Sequence, residues 1–152
     1  MSDQERIIIA NDHGGVELKN RLLRYLEARG RSVHNMGIDT PDSVDYPDIA
    51  VTACREFQRG EYEFGILICG TGIGISISAN KVPGIRCALI HDRFTAEMAR
   101  AHNDANFVAF GGRVDYTIPV EEILATFMDT TPDRDDRHVR RVRKIGEIDR
   151  GV

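Results

Sequence analysis

The sequence predicts a three-layer α/β/α sandwich around an open five-stranded parallel sheet, closed by one extra helix at the C-terminus. Three observations carry that prediction. Short β-branched runs alternate with helical apolar stripes five times along the chain, the pattern that lays helices on both faces of a parallel sheet. The run from Phe64 to Cys69 is continuously apolar, as in a strand buried on both faces. Four of the strands end in polar residues or glycines, and in open α/β sheets ligands bind beyond the carboxyl ends of the strands.

The elements follow in order. Arg6 to Ala10 is the first strand, and Asn11 to Gly15 is the turn after it. Leu18, Leu22, Tyr25 and Leu26 recur at helical spacing until Arg29 and Gly30 stop the helix. Arg31 to Met36 is a weaker second strand. Tyr46, Pro47 and Asp48 open the next helix, with proline in its first turn; Ile49, Ala53 and Phe57 form its stripe, and Arg59 and Gly60 end it. The third strand, Phe64 to Cys69, leads through glycines into a helix reaching about Asn80. Ile85 to Ile90 is a strand, Phe94 to His102 a helix, and Phe107 to Phe110 the fifth strand. Val120, Ile123, Leu124 and Phe127 mark a fifth helix. Arg137 to Arg150 is the last, with Val139, Val142, Ile145 and Ile148 expected inward. No repeat, linker or low-complexity tract divides residues 1–152, which read as one domain, with Asp129 to Asp136 as the softest join.

Composition narrows the function. The 152 residues are 41% hydrophobic and 29% charged, ordinary for a globular chain. A net charge of -4 argues against a dominant nucleic-acid role. No run approaches a membrane span, and Met1 to Arg6 lacks a signal-peptide pattern. Three cysteines without a CxxC pair fit a reduced, cytoplasmic compartment. Neither histidines nor cysteines have metal-ligand spacing, so no metal and no cofactor are expected.

The chemistry gathers at the strand ends. Cys69 is followed by Gly70, Thr71, Gly72, Ile73 and Gly74. This GxGxG turn is neither the GxxxxGK(S/T) phosphate loop nor the GxGxxG dinucleotide fingerprint. Glycines there let backbone N–H groups approach an anion at a helix N-terminus, beside a thiol. Such a pairing suits a reaction in which a proton leaves carbon while charge builds on oxygen. Cys54 and Cys87 read as buried apolar groups instead. Asp12 and His13 follow the first strand, His91 and Asp92 the fourth, and Arg113 the fifth. His34 reads as structural. His102, with Asn103 as a left-handed stop, ends a helix and is either a dipole partner or a proton carrier. Arg137 and Arg141 share a helix face and are either a phosphate grip or a solvated basic surface.

These segments together resemble the ribose/galactose isomerase family, type B ribose-5-phosphate isomerases in particular. The resemblance rests on Asp12 to Gly15, Asp45 to Asp48, Ile68 to Ser76, Ala79 to Lys81, His102 to Asn106, and Arg137 and His138 with Arg141. It implies a Rossmann-like sandwich and metal-free interconversion of ribose 5-phosphate and ribulose 5-phosphate. It also implies a homodimer or tetramer with sites at the subunit interface. Residue by residue, it implies Cys69 as the base, Thr71 as its support, and Gly70, Gly72, Ile73 and Gly74 as the anion hole. His102 would open the sugar ring and Asn103 contact a hydroxyl. Asp12 and His13 would contact sugar or phosphate, and Arg113, Arg137 and Arg141 would bind phosphate. Some members replace the cysteine with a glutamate inside the loop; here those loop positions are Ile73 and Ile75. The alternatives are another sugar phosphate (galactose 6-phosphate, allose 6-phosphate or a tetrose phosphate) or a non-catalytic binding module.

Overall fold

A computed structural model describes residues 6–151. Of Met1 to Arg6, which show no signal-peptide pattern, Met1 to Glu5 lie outside the described residues. The elements are β1 (Ile7–Asn11), a short 3-10 turn (His13–Gly15), α1 (Val16–Ala28), β2 (Val33–Asn35), α2 (Tyr46–Arg59), β3 (Phe64–Cys69), α3 (Ile73–Ala79), β4 (Cys87–Leu89), α4 (Arg93–Ala101), β5 (Phe107–Gly111), α5 (Val120–Asp129) and α6 (Asp136–Asp149).

Every strand pair is parallel, in the order β2-β1-β3-β5-β4. Side chains alternate across each strand, so the sheet builds two cores. On one face Ile7, Ile9, Ile66, Ile68, Val108 and Phe110 meet Leu22 and Leu26 of α1, Ala96 of α4 and Ile123 and Phe127 of α5. On the other, Ile8, Ala10, Leu67, Cys69, Phe107 and Ala109 meet Ala50, Ala53 and Cys54 of α2 and Ile75 and Ala79 of α3. The small alanines of α2 let that helix lie close to the sheet.

The last helix departs from expectation. Three of the four expected inward residues are exposed, Val139 at 47%, Ile145 at 38% and Ile148 at 70%; Val142 is half-buried, and only His138 is buried. Five earlier helices already cover both sheet faces, so α6 has none left to pack on. Among the described residues, no helix is long and apolar enough to cross a membrane.

Candidate functional site

The strand order reverses between β1 and β3, because the chain first steps from β1 outward to β2 and then returns to β3 on the other side. Crevices at such points are where open α/β sheets receive ligands. Here the turns after β1, β3 and β5 meet. Asp12 donates its N–H to the Ile68 carbonyl (3.0 Å), Gly112 to the Cys69 carbonyl (2.8 Å) and Arg113 to the Gly70 carbonyl (2.9 Å). The approach is close enough to need glycine: a Cβ on Gly112 would collide with the Gly14 carbonyl, and one on Gly14 would lie 2.9 Å from the Gly70 nitrogen.

Cys69 ends β3 and is 4% exposed. Gly72 donates its N–H to the Cys69 sulfur at 3.1 Å. Gly72 reaches that position with φ +80°, in the left-handed region. Thr71 Oγ1 accepts from the Ile73 N–H at 3.1 Å, so its oxygen caps the turn rather than accepting from the thiol. Two N–H groups of the expected anion hole are thus already directed at the Cys69 sulfur and at the Thr71 hydroxyl. The Arg113 guanidinium lies over Gly70, where a Cβ would be 3.2 Å from its Nη1.

The β1 turn is set from behind. Asp12 is buried and accepts from the Gly14 N–H at 2.8 Å. Buried Asn11 accepts from the Ile38 N–H (3.2 Å) and donates to the Ile38 carbonyl (3.1 Å). Lys19, wholly buried, donates to the same carbonyl (2.9 Å) and to Asp39 (2.6 Å). These bonds strap the segment leading to Val44, whose N–H donates to His13 Nδ1 at 3.3 Å. A neutral His13 accepting there carries its proton on Nε2.

His102, Asn103, Arg137 and Arg141 lie elsewhere. A crossover helix runs antiparallel to the strands, so α4 starts at the carboxyl edge and delivers His102 to the amino edge, at the start of β5. The five residues of β5 separate it from the Cys69 edge, roughly 16 Å. Asp133 donates its N–H to the Ala101 carbonyl (2.8 Å), which brings the start of α6 to the same end. There the His102 and His138 rings stack, 4.2 Å apart and 13° from parallel. Arg137 and Arg141 are exposed on the same helix. Within one chain the predicted residues therefore form two groups: Asp12, His13, Cys69, Gly70, Thr71, Gly72, Ile73, Gly74 and Arg113 at one edge; His102, Asn103, Arg137 and Arg141 at the other.

Asp92 caps α4 by accepting from the Thr95 N–H (2.7 Å), and its bonds to Thr95 hold its carboxyl below the usual range. The left-handed residue after α4 is Asp104 (φ +43°), not Asn103. Ion pairs from Asp104 to Arg100 (3.0 Å) and Arg134 (3.3 Å) offset that conformation. His34 bonds the Tyr62 hydroxyl (2.8 Å), away from the strand ends.

Sequence reasoning gave no role to Tyr46, Tyr116, Asn11 or Lys19. The Tyr46 ring covers Gly74, where a Cβ would be 2.5 Å from its Cζ. The Tyr116 hydroxyl accepts from the Gly111 N–H (2.8 Å); burial pushes this phenol up, and the neighbouring Cys69 adds to the shift. A signal existed for Lys19, which falls in register with Leu22 and Leu26 on the inward stripe of α1. A cavity of about 420 Å³ is lined by Arg86, Cys87, Asn103, Ile145 and Ile148 and does not include Cys69.

Known proteins share this fold. The structure of Clostridium thermocellum ribose-5-phosphate isomerase B superposes with a TM-score of 0.90 at 44% identity, covering 96% of this chain and 98% of that one. Ribose-5-phosphate isomerase B of Escherichia coli is 42% identical over 110 residues, 72% of this chain and 74% of its own. D-erythrulose-4-phosphate isomerase of Pectobacterium atrosepticum is 40% identical over 124 residues, 81% and 82% of the two chains. The sequence model described as Ribose/Galactose Isomerase matches residues 7–145. A match over that span, joined to superposition along nearly the whole chain, shows that the protein belongs to the ribose/galactose isomerase family and is a sugar-phosphate isomerase.

Proposed function

We propose that the protein interconverts ribose 5-phosphate and ribulose 5-phosphate through an enediolate, without a metal or cofactor. The observation that carries this is the Cys69 sulfur at the end of β3, held by the Gly72 N–H at 3.1 Å beside the Arg113 guanidinium: a base, backbone donors and a cation together. His102 opens the furanose by giving a proton to the ring oxygen as the C1 hydroxyl loses one. Cys69, as thiolate, then takes the C2 proton. The C2–H electron pair becomes the C1=C2 bond, and charge moves onto the C1 oxygen. Those N–H groups of residues 70–74 that are not turned to the Cys69 sulfur or the Thr71 hydroxyl stabilise that oxygen, which gains a proton, while Thr71 holds the turn. The C2 hydroxyl loses its proton as Cys69 returns one to C1. Asp12, His13 and Asn103 contact sugar hydroxyls, and Arg113, Arg137 and Arg141 bind the phosphate. That grip spends binding energy far from C1 and C2 on holding them against the base.

The working site is shared between two copies of the chain in a dimer or tetramer. Supporting this, His102 and Cys69 lie at opposite ends of β5, and α6 leaves Val139, Ile145 and Ile148 exposed beside the His102 group. A tetrose 4-phosphate is the second reading, favoured by the Pectobacterium relative at 40% identity.

The test is turnover by purified protein in excess EDTA, with ribose 5-phosphate and erythrose 4-phosphate in parallel. Conversion of the pentose is expected, with kcat/KM lowered about 10²–10⁴-fold in Cys69→Ala. Near-normal turnover by Cys69→Ala would remove the assigned base. Turnover of the tetrose alone would move the substrate and keep the proton transfer at Cys69, while leaving His102 no ring to open, because the C4 oxygen is esterified.

A further inference from the structure

Among the described residues, the His102 ring makes no hydrogen bond; what meets it is the face of His138, 4.2 Å away and 13° from parallel. Imidazoles that carry protons usually have their plane fixed by a bond from the second ring nitrogen to a neighbouring oxygen. Here a ring face takes that place. His138 is itself held firmly. It lies in the first turn of α6, its N–H donates to the Asp135 carbonyl (3.0 Å), and its side chain is 6% exposed. Its Nε2 is buried without a hydrogen-bond partner, 3.6 Å from Asp133 Oδ2. Asp133 is tied in turn to the end of α4 through the Ala101 carbonyl (2.8 Å) and accepts from the Asp135 N–H (2.9 Å). The segment joining α5 to α6 thus clamps the two rings together.

We propose that His138 is a positioning residue for His102, fixing the plane of that imidazole by stacking so that it meets the sugar ring oxygen in one orientation. The inference rests on the ring-opening role given to His102 above.

Two apolar variants, one with a ring and one without, isolate the effect. His138→Phe keeps a flat ring and His138→Leu does not, while both remove the unpartnered nitrogen, so both are expected to fold. Two rates are read on the full-length protein. One is turnover of ribose 5-phosphate, which starts from the closed furanose. The other is deuterium wash-in from D₂O at C1 of ribulose 5-phosphate, which stays open-chain because its C5 oxygen is esterified. Wash-in needs the Cys69 half of the chemistry and not ring opening. His138→Leu is expected to lower turnover about tenfold or more and keep wash-in within about threefold; His138→Phe is expected to keep both within about threefold. Equal turnover in the two variants overturns the proposal, as does a Leu variant that loses wash-in as fully as turnover. His102→Ala separates this failure from that of the underlying reading. If it lowers both rates or neither, ring opening is not the role of His102. If it lowers turnover alone while His138→Leu is unaffected, only the positioning role fails.

Discussion

Gly72 joins conformation to chemistry within one residue. Its φ of +80° turns the N–H toward the Cys69 sulfur, and its missing Cβ leaves room for Leu89 and for the Phe110 backbone. An alanine there would put a methyl 2.7 Å from Leu89 Cδ1 and 2.9 Å from the Phe110 carbonyl carbon. Gly72→Ala is therefore expected to cost about 1–3 kcal/mol of stability, measured by urea unfolding, and to lower turnover because the N–H leaves the sulfur. Unchanged turnover in a folded Gly72→Ala protein would separate that hydrogen bond from catalysis. Sequence marked the glycine as a turn residue. That its missing Cβ would leave room for Leu89 and the Phe110 backbone depended on β5 lying beside β3, which a one-dimensional pattern does not reveal.

At the scale of elements, α6 shows what periodicity does and does not say. Its apolar spacing predicts a helix, and the helix forms from Asp136 to Asp149. The same spacing predicts a buried stripe, but the stripe is exposed because both sheet faces are already covered. Under the proposed two-chain site, this face meets a second copy. Ile148→Asp is expected to leave the folding stability of the dissociated chain nearly unchanged, within about 0.5 kcal/mol, because Ile148 packs little within its own chain. It is expected to shift sedimentation toward monomer and lower turnover with it. An unchanged sedimentation profile would place the contact between copies elsewhere.

The whole molecule carries its two sets of candidate residues at opposite sheet edges, and that arrangement can be read by complementation. Cys69→Ala and His102→Ala are each expected to be nearly inactive. If Cys69 of one copy works with His102 of another, mixed and reassembled dimers regain one intact site in each hybrid, about a quarter of native activity for random pairing. No recovery on mixing would mean that both groups serve one chain. A second global property follows from the two remaining cysteines. Burial pushes the Cys54 thiol up to about 12 and also raises Cys87, which lies close enough to Cys54 to be raised further by it. In the unfolded chain both ionise near 9. Between those values the unfolded chain binds fewer protons than the folded one, so stability is intact below about pH 9 and falls above it. Each such thiol contributes a slope of about 1.4 kcal/mol per pH unit. Urea midpoints measured from pH 8 to 10.5 should decline, less steeply in Cys54→Ala than in the native chain after allowance for its lower starting stability.

The sequence by itself determined the layered α/β/α fold, the parallel sheet and the run of elements, because burial on both faces leaves continuous apolar strands and helical stripes that local chemistry can read. It also determined that Asp12, Cys69 and Arg113 share one edge, since parallel strands place all their carboxyl ends together. Only the tertiary structure decided that β5 rather than β4 lies against β3, which brings Arg113 over Gly70 and Tyr116 beside Cys69. It alone placed Lys19 beneath the β1 turn and stacked His138 on His102. Such contacts join residues far apart in the chain, and they depend on strand order and on the packing left available at the sheet's ends, neither of which leaves a period in the sequence.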